Sequence, residues 1–245
     1  MAPDSSHIAQ KDSLKDLGVN LSSDLSFSLQ INSAVQKASQ MVGWALRTFR
    51  GRSSHLLMTI LKTLVQPHLD YCSQLWSPNL QGQINRIEQV QRSVVSRLRD
   101  SRLIGLTYWE QLRKLKLYSQ ERRRERYIII FMWKLSQGLV EGYDISFTET
   151  SNRTGRKAVP SAILSSAPAP VKRAKEASLA VKGAQLFNKM PISLRNSNHG
   201  DVDMFKNHLD IYLENIPDQP TISGLGRAAA TNSLLHQVPI YEANL

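Results

Sequence analysis

The sequence predicts a mostly α fold: a helical bundle of about five helices, then a loop-rich C-terminal region of short helices with one or two short strands. Three observations carry this. From Leu25 to Gln137, apolar residues recur at spacings of three and four, the period of a helix with one buried face. Residue types that start and stop helices stand at the ends of those stripes. After Gly138 the texture changes, and Thr148 to Pro170 is rich in Ser, Thr, Ala and Pro.

Residues 1–24 are polar apart from one apolar alternation at Leu14, Leu17, Val19 and Leu21. A lone strand or hairpin is marginal in water, so poor order is expected there. The first helix carries Leu29, Ile31, Val35, Ala38, Met41, Val42, Ala45, Leu46 and Phe49 on one stripe. Arg47 and Arg50 suit its C-terminal dipole, and Gly51 stands at the C′ position. A second helix starts at Ser53 or Ser54, either able to cap it. Its stripe runs Leu57, Leu61, Leu64, Val65, Cys72 and Trp76; Pro67 predicts a kink or break inside it, and Pro78 its end.

The third helix, about Leu80 to Leu98, aligns Ile84, Ile87, Val90, Val94 and Leu98, with Glu88 and Arg92 spaced for an i,i+4 ion pair. Thr107-Tyr108-Trp109-Glu110 fits a capping box opening a short helix through about Leu115. A last long helix, about Tyr118 to Gln137, stops at Gly138. Beyond it, Ala158 to Leu164 alternates weakly like a strand, and short helices are expected near Ser178 to Lys189 and Val202 to Leu213. The tail after Pro217 has little to bury. The divisions are thus 1–24, poorly ordered; 25–138, helical; 139–216, loop-rich; and 217–245, a flexible tail.

A chain of 245 residues can bury one sizeable core, with or without a weaker satellite. Its 41% apolar content excludes a wholly disordered chain. A net charge of +11 and a pI of about 9.9 point to a polyanionic partner, nucleic acid ahead of a membrane surface. Cys72 is the single cysteine, so no internal disulfide can form and a reducing, intracellular compartment is expected, nuclear or cytoplasmic. Met1 to Lys15 has no apolar core of signal-peptide length, so secretion is not expected. No run reaches the roughly 18 apolar residues that a membrane span needs.

The charge is concentrated. Between Arg86 and Lys134 stand thirteen Lys and Arg against five acids, a local net of +8. The candidate nucleic-acid-binding residues are Arg86, Arg92, Arg97, Arg99, Arg102, Lys114, Lys116, Arg122, Arg123, Arg124 and Arg126, densest at Arg122 to Arg126. Such a field binds phosphates by releasing counterions, without reading sequence. The competing reading is solvated helix faces whose long stems cover apolar surface. Trp76, Tyr108, Trp109 and Trp133 read as core anchors rather than base-stacking platforms.

His68 and Cys72 have the i,i+4 spacing of two ligands on one helix, but no second pair exists, so a buried structural thiol and no metal site are expected. Asp16, Asp24, Asp70 and Asp100 stand singly, with no Asp-Asp pair and no phosphate-cradling glycine loop. No catalytic residue, cofactor or small-molecule substrate is assigned.

Several blocks occur in a specific order: Lys15-Asp16-Leu17-Gly18-Val19, Ser23-Asp24-Leu25-Ser26-Phe27, Val65 to Trp76 with Gln66-Pro67-His68-Leu69-Asp70-Tyr71-Cys72 inside it, Arg86-Ile87-Glu88-Gln89-Val90-Gln91-Arg92, and Trp133 to Leu139. Gly183 to Pro191 and Met204 to Asp210 follow. This succession resembles the region after the palm in reverse transcriptases of non-long-terminal-repeat retrotransposons, the jockey-like group. Phe187-Asn188 and Met190-Pro191 depart mildly from that family's Trp-Asn and Leu-Pro.

The resemblance implies that Leu25 to Gln137 is thumb-like and packs on the backbone of a primer–template duplex. It implies RNA or DNA as partner, an RNA–DNA hybrid or duplex, and makes residues 1–24 a palm-edge remnant. The parent activity is RNA-directed DNA polymerisation, whose magnesium belongs to palm carboxylates upstream. The family's catalytic motif, an aromatic, any residue and two aspartates, has no counterpart here, so no catalytic residue carries over. The expected function is nucleic-acid gripping without polymerisation; the alternatives are a helical protein–protein adaptor or a non-functional relic of a degraded retroelement.

Overall fold

The structure, a computed structural model, describes residues 11–49, 53–141, 148–150, 156–158, 175–176, 178–196, 201–220 and 231–237. It is mostly α with short strands, as the periodicity predicts. The chain opens on an antiparallel hairpin of β1 (Ser13–Asp16) and β2 (Val19–Ser22), with Leu14 opposite Leu21. Its two-residue turn, Leu17-Gly18, has both φ angles positive, the geometry that matches the strand twist. Tertiary contacts hold the hairpin, which the sequence pattern alone does not supply. Val19 is buried, Gln30 Oε1 accepts from Asn20 N at 2.9 Å, and the Tyr71 hydroxyl donates to Leu17 O at 2.7 Å.

Helix α1 spans Ser28–Thr48 and buries Ile31, Ala34, Ala38, Val42 and Ala45; the Gly51 expectation lies outside the described residues. Helix α2 (Ser54–Ile60) is capped by Ser53, whose Oγ accepts from Leu56 N. A π turn, Leu61–Val65, then runs into α3 (Gln66–Asp70). Pro67 has no N–H for the usual bond, and the widened turn just before it relieves the ring's clash with the preceding carbonyl. The true break comes later, where Cys72 adopts φ +51 between α3 and α4 (Ser73–Trp76).

Helix α5 spans Gln81–Val95. The capping box is present at α6 (Tyr108–Lys114), with Thr107 N donating to Glu110 Oε2 at 2.8 Å. Helix α7 (Gln120–Ser136) starts at the Ser119 cap. It closes with Leu139 N on Lys134 O and Gly138 N on Leu135 O, a Schellman motif with Gly138 at φ +69. Strands β3 (Thr148–Thr150) and β4 (Arg156–Ala158) form a second hairpin; of the strand expected at 158–164, only Ala158 is described. A π turn at Leu179–Gly183 leads into α8 (Ala184–Lys189), followed by α9 (Ile192–Arg195) and α10 (Val202–Glu214).

Two apolar clusters result. The first joins α1 to α6 around Ile31, Ala38, Leu61, Leu69, Trp76, Ile87 and Leu112. The second packs Ile128, Ile129, Met132 and Trp133 of α7 against Leu186, Phe187, Phe205, Leu209, Leu213 and Leu234, with Trp133 stacked on Phe205 at 4.4 Å. The boundary expected after Gly138 therefore does not separate the cores. The C-terminal half of α7 is apolar all round, so it needs cover from more than one side. The tail also departs from expectation: Asn232, Ser233 and Leu234 are buried. Among the described residues no helix is long and apolar enough to cross a membrane.

Candidate nucleic-acid interface

The densest part of the predicted binding face is not a surface. Arg122 and Arg124 are 0% and 2% exposed. Successive residues of α7 point about 100° apart, and each arginine meets a different acceptor. Arg122 donates to the carbonyls of Ile216, Pro217 and Asn232 and to the Gln237 side chain. Arg123 forks onto Asp70, with Nη2 to Oδ2 at 2.7 Å and Nε to the same oxygen at 2.9 Å. Arg124 donates to Leu69 O at 2.8 Å and lies 4.3 Å over the Trp76 ring. Burial pulls its pKa down to about 10, so it stays charged at neutral pH. Arg126 forks onto Asp210.

The acids of the same helix turn to the chain's end. Glu121 accepts from Thr231 Oγ1 and Asn232 N, and Glu125 accepts from Ser233 Oγ and Leu234 N. Lys182 comes within 3.9 Å of Glu125. Asp218 holds Ser119 through its N–H and hydroxyl. Arg122, Arg123, Arg124 and Arg126 thus tie the two cores and the C-terminal segment together: Arg122 and Arg124 are buried, so they present no charge to a surface, and half-buried Arg123 and Arg126 are held by Asp70 and Asp210. Little in the sequence announces this: Glu121–Glu125 and Arg122–Arg126 carry like charges at i,i+4, but Glu121–Arg124 and Arg122–Glu125 carry opposite charges at i,i+3, so the string reads equally well as a solvated face.

Glu88 does not form the expected ion pair with Arg92. Its carboxylate is buried and accepts from the Tyr108 hydroxyl and from Gln120 N at 2.7 Å. Desolvation raises its pKa to about 7, against the lowering effect of those two bonds. Arg92 instead stacks over Tyr108 at 4.2 Å and reaches 5.7 Å from Trp109, so its cation is committed.

The other predicted cations are exposed: Arg86, Arg97, Arg99, Arg102, Lys114 and Lys116. Arg86 donates to Asn32 on α1 at 2.6 Å. Around α6 the charges converge. Arg102, Arg113 and Lys114 line a niche of about 440 Å³ with Leu106 and Glu110. The acids beside them are already engaged. Glu110 accepts from Thr107 N and Oγ1, which lowers its pKa, and Asp100 pairs with Arg102 at 2.7 Å. The Arg102 side chain remains 72% exposed while that of Asp100 is 9% exposed, so the guanidinium reaches solvent but carries its counter-charge with it. Arg113 and Lys114 have no ion pair among the described residues. Arg113 was missed as a site residue, because nothing in the sequence says that it faces Arg102 across the loop.

Trp76 and Trp133 are core anchors as expected, whereas Tyr108 and Trp109 are half-buried at the edge of the first core. Cys72 is half-buried. The helix breaks between His68 and Cys72, so they do not share one helical face. No cluster of three or more His, Cys, Asp or Glu placed to hold a metal occurs among the described residues. No family model matches the chain, and no curated protein or solved structure matches it.

Proposed function

We propose that this chain binds the backbone of RNA or DNA, as duplex or RNA–DNA hybrid, and does no polymerisation itself. The observation that carries the reading is the niche beside α6, where exposed Arg113 and Lys114, with no ion pair among the described residues, stand beside Arg102, which Asp100 holds in a fork. Exposed guanidinium and ammonium groups such as those of Arg113 and Lys114, on one concave face, are what phosphate binding requires. Arg97 and Arg99, just before this face in the chain, are exposed as well. The order of sequence blocks supports the same reading, since it resembles the duplex-gripping part of non-long-terminal-repeat reverse transcriptases. With no adjacent aspartates in the chain, no residue is assigned to phosphoryl transfer.

The test is a salt titration of binding to RNA–DNA hybrid, comparing the native chain with a variant carrying Arg99→Gln, Arg102→Gln and Lys114→Gln. All three positions are exposed, so the fold should persist. Affinity should fall alike for unrelated sequences, and the log–log salt slope should flatten by about 0.9 per lost phosphate contact. Equal affinity and equal slope, with helicity unchanged by circular dichroism, would refute the assignment. The same test on Arg122 or Arg124 would be uninformative, since removing a buried charge from its partners unfolds the site.

A further inference from the structure

A groove of about 750 Å³ lies on the opposite flank of α6 from the cationic niche, at the seam between the two cores. The two concavities share Glu110 and Arg113, so α6 is the ridge between them. The groove is apolar at its base, with Leu112, Leu117, Leu213 and Ile216 from both cores, and Trp109 forms part of its wall. Its volume is in the range of small-ligand sites, and a seam between cores is where such sites form.

Charge is divided across the groove. Arg113 and Lys116 stand on the α6 side with Glu110, whose carboxylate caps Thr107, while Asp210, Glu214 and Asp218 line the α10 side. Asp210 is held by Arg126 and Tyr118, and Asp218 by Ser119 and Asn232, so these carboxylates are fixed in place. A phosphate is attracted to the ridge and repelled from the far wall. An uncharged, planar, apolar-faced group attached to that phosphate would meet Trp109 and the leucines, with carboxylate oxygens ahead of it as acceptors for N–H groups.

We infer that the groove takes an unpaired nucleobase from a strand whose phosphates lie in the Arg102–Arg113–Lys114 niche. The inference rests on the backbone-binding reading and adds to it a preference for duplexes with a single-stranded end. Base stacking on an aromatic wall tolerates any sequence, because every base has a π face. The carboxylate wall would favour bases that carry an exocyclic amine.

The experiment measures anisotropy of three labelled hybrids of the same duplex: blunt, with a three-cytosine overhang, and with the same overhang made abasic. The overhang should bind roughly tenfold tighter than the blunt and abasic forms, the order expected of one stacked base. Trp109→Ala should erase that difference and leave blunt-duplex affinity unchanged, whereas Trp109→Phe should keep most of it. A 2-aminopurine in the overhang of the native complex reports base burial directly and needs no variant. If blunt, abasic and cytosine-tailed hybrids bind alike, the groove holds no base and only this inference falls. If none of them binds, the backbone-binding reading falls with it.

Discussion

Burial lifts the Glu88 carboxyl to about 7 from its ordinary 4.5, although Tyr108 and Gln120 both donate to it. The folded state therefore holds this proton more tightly than the unfolded chain. The stability it contributes is fully present below the unfolded value and is lost as pH rises through about 7. In Glu88→Gln, the amide oxygen can accept from Gln120 N, and the Tyr108 hydroxyl can turn to accept from the amide. Relative to the native chain, the variant should gain on the order of 1–3 kcal/mol of unfolding free energy between pH 5 and pH 8. Urea unfolding at both values measures it; a difference that does not change with pH would mean that the carboxyl is already ionised and satisfied. Arg124 illustrates the same limit of sequence reading. Its Nε and Nη1 have no hydrogen-bond partner among the described residues, yet Trp76 and Leu69 hold the group inside. Nothing in the string Arg122-Arg123-Arg124 says that a tryptophan nearly fifty positions earlier lies against it.

Helix ends are local devices, and they were legible. Thr107 with Glu110, Ser53, and Gly138 all act where the sequence placed them, because a cap needs only residues within a few positions of itself. Gly138 is a clean place to weigh one. A methyl group there would meet no atom within 4 Å, so only its φ of +69 opposes a side chain. Gly138→Ala should cost about 1 kcal/mol, read as a lower urea midpoint at unchanged slope. Gly183 is different in kind: a Cβ there would come within 2.8 Å of Met132 Sδ, so that glycine serves the approach of the second π turn to α7. The interruptions were less legible than the ends. Pro67 foretold an irregularity, but whether the chain breaks or widens depends on what packs beside it, and here the break fell at Tyr71–Cys72.

At the scale of the whole molecule, α7 is the member both cores share. Its apolar half belongs to the second cluster, and its charged half reaches back to Asp70, Leu69 and Gln91 of the first. A chain ending at Gly138 would leave Ile128, Ile129, Met132 and Trp133 uncovered. Each such side chain is worth about 1.5–3 kcal/mol when buried, and their sum rivals the 5–15 kcal/mol of a typical domain. Residues 1–138 should therefore lose the cooperative thermal transition of the full chain and bind a hydrophobic dye. A sharp transition in that piece, with α7 amides protected from exchange, would show that the first core covers α7 unaided.

The sequence by itself determined the fold class, most helix ends and part of the first core, because periodicity and capping are short-range properties of the chain. Leu29 and Phe49 of the first stripe are exposed, and Leu69 and Leu112 fill the core without belonging to any stripe. Only the tertiary structure decided which charges are free. Whether an arginine faces water or a distant aspartate depends on contacts between residues fifty to a hundred positions apart, as at Arg123–Asp70 and Arg126–Asp210. Coulomb attraction across such loops leaves no period in the sequence, and so it moved the candidate interface from α7 to the face of α6.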